Sequence, residues 1–91
     1  MQSKEINVTN KLGVHARPAG MIVDITGKSK CDVTLEYEGN KVNAKSILNV
    51  MMLAITPGSV VKFTADGEDE EQVLAQLEQL FRDNFHEEQN D

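Results

Sequence analysis

The chain has 91 residues, room for one domain with a single core. Its 26% charged residues and the lack of any long apolar run argue against a membrane span, and its net charge of −6 argues against a nucleic-acid footprint. One Tyr, three Phe and no Trp leave little aromatic surface for stacking on bases, and the lone Cys31, with no internal disulfide partner, suits a reducing cytoplasm.

The charge is unevenly spread. Residues 66–91 hold ten acids against Arg82 alone, whereas residues 1–65 hold eight bases against five acids. A mildly basic N-terminal part that tolerates a small anion is thus followed by a solvated acidic segment.

In chain order, the alternation of Ile6 and Val8 with Glu5, Asn7 and Thr9 predicts a first strand over 3–9. Asn10-Lys11-Leu12-Gly13 reads as a loop. Ala19, Ile22, Val23 and Thr26 then follow helical spacing over 16–26, with Pro18 in the first turn and Gly27 as the stop. Val33, Leu35 and Tyr37 alternate with Thr34, Glu36 and Glu38 as a half-buried strand, and a tight turn at Glu38-Gly39-Asn40 leads into a short strand over 41–43. Ser46 caps a short helix from Ile47 to Leu53. Pro57-Gly58 marks a turn, and Val61, Phe63 and Ala65 alternate in a last strand. Asp69 with Gln72 reads as a capping box for a final helix lined by Val73, Leu77, Leu80 and Phe81. Residues 86–91 are expected to fray, with His86 solvated. The order β-α-β-β-α-β-α over one domain, 1–91, predicts an α+β sandwich with helices on one face of a sheet.

Chemistry concentrates in Gly13-Val14-His15-Ala16-Arg17-Pro18-Ala19. A histidine at a loop-to-helix boundary stands beside the unpaired N–H groups of the first turn, here those of Ala16 and Arg17, which bind anions. The positive end of the helix dipole favours the neutral, nucleophilic imidazole, and the Arg17 fork fits phosphate oxygens. These are the parts needed to accept a phosphoryl group. From spacing alone a second reading stands beside it: a solvated histidine near a helix start, with no chemistry. Ser46 needs no role beyond its cap. Ile47, Leu48, Val50, Met51, Met52 and Leu53 make the following helix apolar almost all round, which fits either an exposed adaptable patch or deep burial.

Other signals carry less. Asp66-Gly67-Glu68-Asp69-Glu70-Glu71 lacks the length and distal glutamate of a calcium loop. No Cys/His pair has zinc spacing and no glycine-rich nucleotide loop occurs, so neither a metal nor another cofactor is expected. Cys31 reads as a small packed residue.

The segment from Asn10 to Ala19 resembles the phosphorylation-site signature of the HPr family, the histidine-containing phosphocarriers of the bacterial phosphotransferase system. Lys45-Ser46-Ile47-Leu48 with Val50-Met51 resembles that family's regulatory-serine segment, and Glu36-Tyr37-Glu38-Gly39 and Pro57-Gly58 extend the likeness over nearly the whole chain. The resemblance implies an open-faced sandwich with a four-stranded antiparallel sheet in order 1-4-2-3 and three helices. It implies a phosphoryl carrier rather than a turnover enzyme: His15 accepts at Nδ1 from phospho-Enzyme I, with Arg17 stabilising the phosphate, and donates to enzyme IIA domains of sugar transporters. Ser46 is implied as the target of HPr kinase/phosphorylase, with Ile47, Leu48 and Met51 as the docking surface of a cytoplasmic monomer. Asn-Lys-Leu-Gly at 10–13 and the acidic ending also resemble the nitrogen-related paralogue NPr, and Gly20 and Asp24 depart from the larger or basic residues of many relatives. Three readings stay open: an HPr-type carrier, an NPr-type carrier, and a non-transferring regulatory module acting through Ser46.

Overall fold

The computed structural model describes residues 1–87. Its elements are β1 (Gln2–Asn7), α1 (Ala16–Thr26), β2 (Asp32–Tyr37), β3 (Asn40–Asn43), α2 (Ile47–Met52), β4 (Val60–Asp66), α3 (Glu70–Arg82) and a 3-10 turn (Asn84–His86). The strands form one sheet in the order β1-β4-β2-β3, with every neighbouring pair antiparallel. The expected α+β architecture, sheet order and three helices are all present.

Alternation decides which side of the sheet is covered. Val33, Leu35 and Tyr37 on β2 and Val61, Phe63 and Ala65 on β4 are buried. Their neighbours Thr34, Lys62 and Thr64 point the other way, because successive strand side chains face opposite sides. On that open face Ser3 and Thr64, directly opposite in register, share a hydroxyl hydrogen bond of 2.9 Å. The covered face carries α1 (Ala19, Ile22) and α3 (Val73, Leu74, Leu77, Leu80, Phe81), whose buried residues recur at helical spacing. Phe63 meets Phe81 edge-on at 5.7 Å between ring centres.

The β2–β3 hairpin closes through Glu38 (φ 49°) and Gly39 (φ 82°), with Tyr37 opposite Asn40. Two consecutive positive φ angles define the type I′ turn whose twist matches paired strands, and glycine takes the second position without strain. Thr26, fully buried at the end of α1, donates its hydroxyl to the Ala44 carbonyl at 2.7 Å and so ties this helix to the approach to α2.

One local expectation needs correction, and two others gain detail from the structure. Gly27 follows α1 as expected, but in right-handed conformation (φ −66°), and its N–H still bonds to the Val23 carbonyl. The chain leaves the helix through tighter bonds, Lys28 N–H to Ile25 and Ser29 N–H to Thr26.

Asp69 precedes α3 but makes no side-chain cap there. Its carboxylate instead accepts the Lys30 N–H at 3.0 and 3.2 Å, while Glu70 accepts the Gly67 N–H at 3.1 Å. A neighbouring loop thus out-competes the local box for the carboxylate.

Two residues of the tail expected to fray, 86 and 87, are described. Phe85 is fully buried, with its ring centre 4.6 Å from that of Phe81, His86 belongs to the 3-10 turn although its side chain is exposed, and Glu87 is half-buried. The remainder of the tail expected to fray, 88–91, lies outside the described residues.

Candidate functional site at the start of helix α1

The loop from Asn10 to Val14 is held from both ends. Asn10, 1% exposed, donates its Nδ2 to the Gly13 carbonyl at 2.7 Å, and Val14 N–H donates to the Ile55 carbonyl at 3.1 Å. Gly13 has φ +70°, and a Cβ on it would lie 2.4 Å from the Ile55 oxygen. Only a glycine satisfies both the left-handed backbone and the close approach.

His15 then occupies the N-cap position with extended backbone (φ −95°, ψ −164°), and its carbonyl accepts the Ala19 N–H at 2.9 Å. Its side chain makes no cap and is 39% exposed. Ala16 and Arg17 are both exposed, and as the first two helical residues they present N–H groups with no acceptor inside the helix. Pro18 comes next and is buried; having no N–H, it loses nothing at that place. No hydrogen bond or ion pair among the described residues occupies the Arg17 guanidinium. The site therefore offers a half-exposed imidazole, two outward amides at the positive end of an 11-residue helix and one available guanidinium.

One partner of the histidine comes from the far end of the chain. His15 Nε2 lies 3.2 Å from Glu87 Oε2, and Asn10 Nδ2 lies 3.2 Å from the same oxygen. Neither Asn10 nor Glu87 was singled out from the sequence. Glu87 stands 72 positions from His15, and no local pattern links them.

Ser46 caps α2 as expected, its Oγ accepting the Asn49 N–H at 3.3 Å. Of the two readings of this helix the exposed patch is the one found. Val50 alone is buried, while Leu48 (65%) and Met52 (72%) are largely exposed and Ile47 and Met51 are partly so. The patch adjoins α1, since a Cβ on Gly20 would stand 3.7 Å from Ile47 Cδ1. Asp24, further along α1, is exposed and pairs with Lys28 at 3.7 Å.

Cys31 is buried, and loss of solvent pushes its thiol upward from the ordinary value, which suits packing more than nucleophilic use. Among the described residues no helix is long and apolar enough to cross a membrane, and no cluster of three His, Cys, Asp or Glu side chains is arranged to hold a metal ion.

The chain has known relatives along almost its whole length. Residues 2–83 match the family model described as the PTS HPr component phosphorylation site. The phosphocarrier protein HPr of Xylella fastidiosa is 44% identical over 87 residues, covering 96% of this chain and 98% of that one. A crystal structure of HPr from Thermoanaerobacter tengcongensis superposes with a TM-score of 0.93 at 40% identity, covering 98% of this chain and all of that one. A dimer of HPr from the same organism gives 0.76 at 40% identity, over 96% of this chain and 100% of that one. The chain belongs to the HPr family of phosphocarriers of the phosphotransferase system.

Proposed function

We propose that this chain accepts a phosphoryl group on His15 from phospho-Enzyme I and passes it to enzyme IIA domains of sugar transporters in the cytoplasm. The observation that carries the reading is the coincidence, at one helix start, of a half-exposed imidazole, two outward amides and an Arg17 guanidinium with no partner among the described residues. In the transfer the lone pair of Nδ1 forms a bond to phosphorus while the donor's bond to phosphorus breaks and its electron pair returns to the donor. No proton need move.

Loose holding suits a carrier. Two amides and one mobile guanidinium stabilise the phosphoryl oxygens without trapping the group, so the partner enzyme supplies the remaining stabilisation in the transition state. The exposed Ile47, Leu48 and Met51 beside α1 supply the apolar part of the docking surface. Ser46 borders that patch, and its phosphorylation by HPr kinase/phosphorylase would put a dianion where a partner must desolvate it. The protein transfers as a monomer, so that His15 and the patch stay open to each partner in turn.

Incubation with Enzyme I and phosphoenolpyruvate tests the reading. The expected product is one acid-labile, base-stable phosphate per chain, absent in His15→Ala. Equal labelling of that variant would refute it.

A further inference from the structure

The last described residues fold back through a run of left-handed backbone. Asn84, Phe85 and His86 take φ angles of 51°, 56° and 58° in succession. Asparagine tolerates the left-handed region; a bulky phenylalanine there is an outlier. Such strain persists only where surroundings enforce it, and it concentrates at functional sites. The enforcing contacts are the buried Phe85 ring against Phe81, and Thr9 Oγ1 donating to Asn84 Oδ1 at 2.6 Å.

The reversal delivers Glu87 to His15. A carboxylate can only accept, so at 3.2 Å the proton of the neutral ring sits on Nε2 and the lone pair sits on Nδ1. Asn10 secures the carboxylate in turn: its Nδ2 faces two acceptors, Gly13 O and Glu87 Oε2, which determines the orientation of the amide. The price is Oδ1, which is buried without a partner among the described residues.

We infer that Glu87, held by Asn10, is a positioning residue for phosphoryl acceptance: it fixes the His15 tautomer that leaves Nδ1 as the nucleophile. This rests on the carrier reading above. Once Nδ1 bears a phosphoryl group, the ring that keeps its Nε2 proton is cationic, so the contact with a carboxylate strengthens as transfer proceeds.

The test compares Glu87→Ala and Glu87→Gln with the parent in the full chain. Glutamine keeps an oxygen that accepts from Nε2, whereas alanine does not. Phosphorylation by Enzyme I should slow about five- to tenfold in E87A, the scale of one partly exposed charge-assisted hydrogen bond, and recover most of that loss in E87Q. Nitrogen-15 NMR of His15, at a pH where the ring is neutral, should show one tautomer in the parent and a mixture in E87A. Equal rates and tautomers in parent and E87A would overturn the inference, as would an E87Q no faster than E87A. A parent that never labels on His15 would overturn the carrier reading instead, and the NMR comparison would still decide the Glu87 contact.

Discussion

The Gly13 backbone lies directly under the Ile55 carbonyl, so that a Cβ at Gly13 would sit 2.4 Å from that oxygen. The loop leading to His15 is thereby seated on the segment that follows α2. Gly13→Ala should lower stability by about 2–3 kcal/mol, combining a left-handed alanine with a backbone clash. Thermal unfolding would show it as a fall in Tm on the order of 10 °C. Charging of the surviving folded protein should slow by about tenfold or more, because a small shift of a reacting group is costly.

Ala54 presents the opposite case. It follows the Leu53 cap of α2 with φ +54°, the left-handed place where glycine is preferred, and its side chain is exposed. Ala54→Gly should raise stability by about 0.5–1 kcal/mol, the relief of side-chain crowding outweighing the added freedom of the unfolded chain. Urea unfolding with an unchanged slope and a higher midpoint is the expected result.

Ser46 separates cap from switch. Ser46→Ala removes the Oγ that accepts the Asn49 N–H and should cost about 1 kcal/mol. Ser46→Asp retains a cap, and a negative charge at a helix start is favourable, so its Tm should stay close to the parent's. Its charging by Enzyme I should nevertheless slow by about tenfold through repulsion and desolvation at the docking patch. A parent-like charging rate would argue against regulation through this residue.

Acid sensitivity should centre on the turn before α3. The Lys30 N–H holds the Asp69 carboxyl below its usual range, and the Gly67 N–H, aided by the N-terminal amine, does the same for Glu70. Carboxyls lowered by folding contribute stability that is complete above their unfolded value, about 4, and that is lost as pH falls through the folded value. Asp69→Asn should therefore be less stable than the parent at neutral pH, with the gap closing as pH drops below about 4. A gap that is constant with pH, measured by urea unfolding, would contradict this.

Much of this protein is written in local patterns. Alternation at Val33, Leu35 and Tyr37 and at Val61, Phe63 and Ala65 selects the buried face of the strands, and Pro18 marks the first turn of α1. Ser46 announces its own helix, and His15 with Arg17 stands at a helix start that spacing alone locates. These signals are legible because each depends on residues within a few positions of one another.

Tertiary structure decided the rest. Asp69 has the spacing of a capping box, yet the Lys30 N–H from another loop takes its carboxylate. Whether the residues around Met51 would be buried or exposed depended on how far neighbouring elements cover α2, and no periodicity reports that. Most of all, Glu87 read as part of a loose acidic end until Phe85 packed on Phe81 and turned the chain back to His15. A contact spanning 72 residues has no sequence period; it exists because the Phe85 ring packs on Phe81 in the core and the left-handed backbone around it returns the chain toward His15.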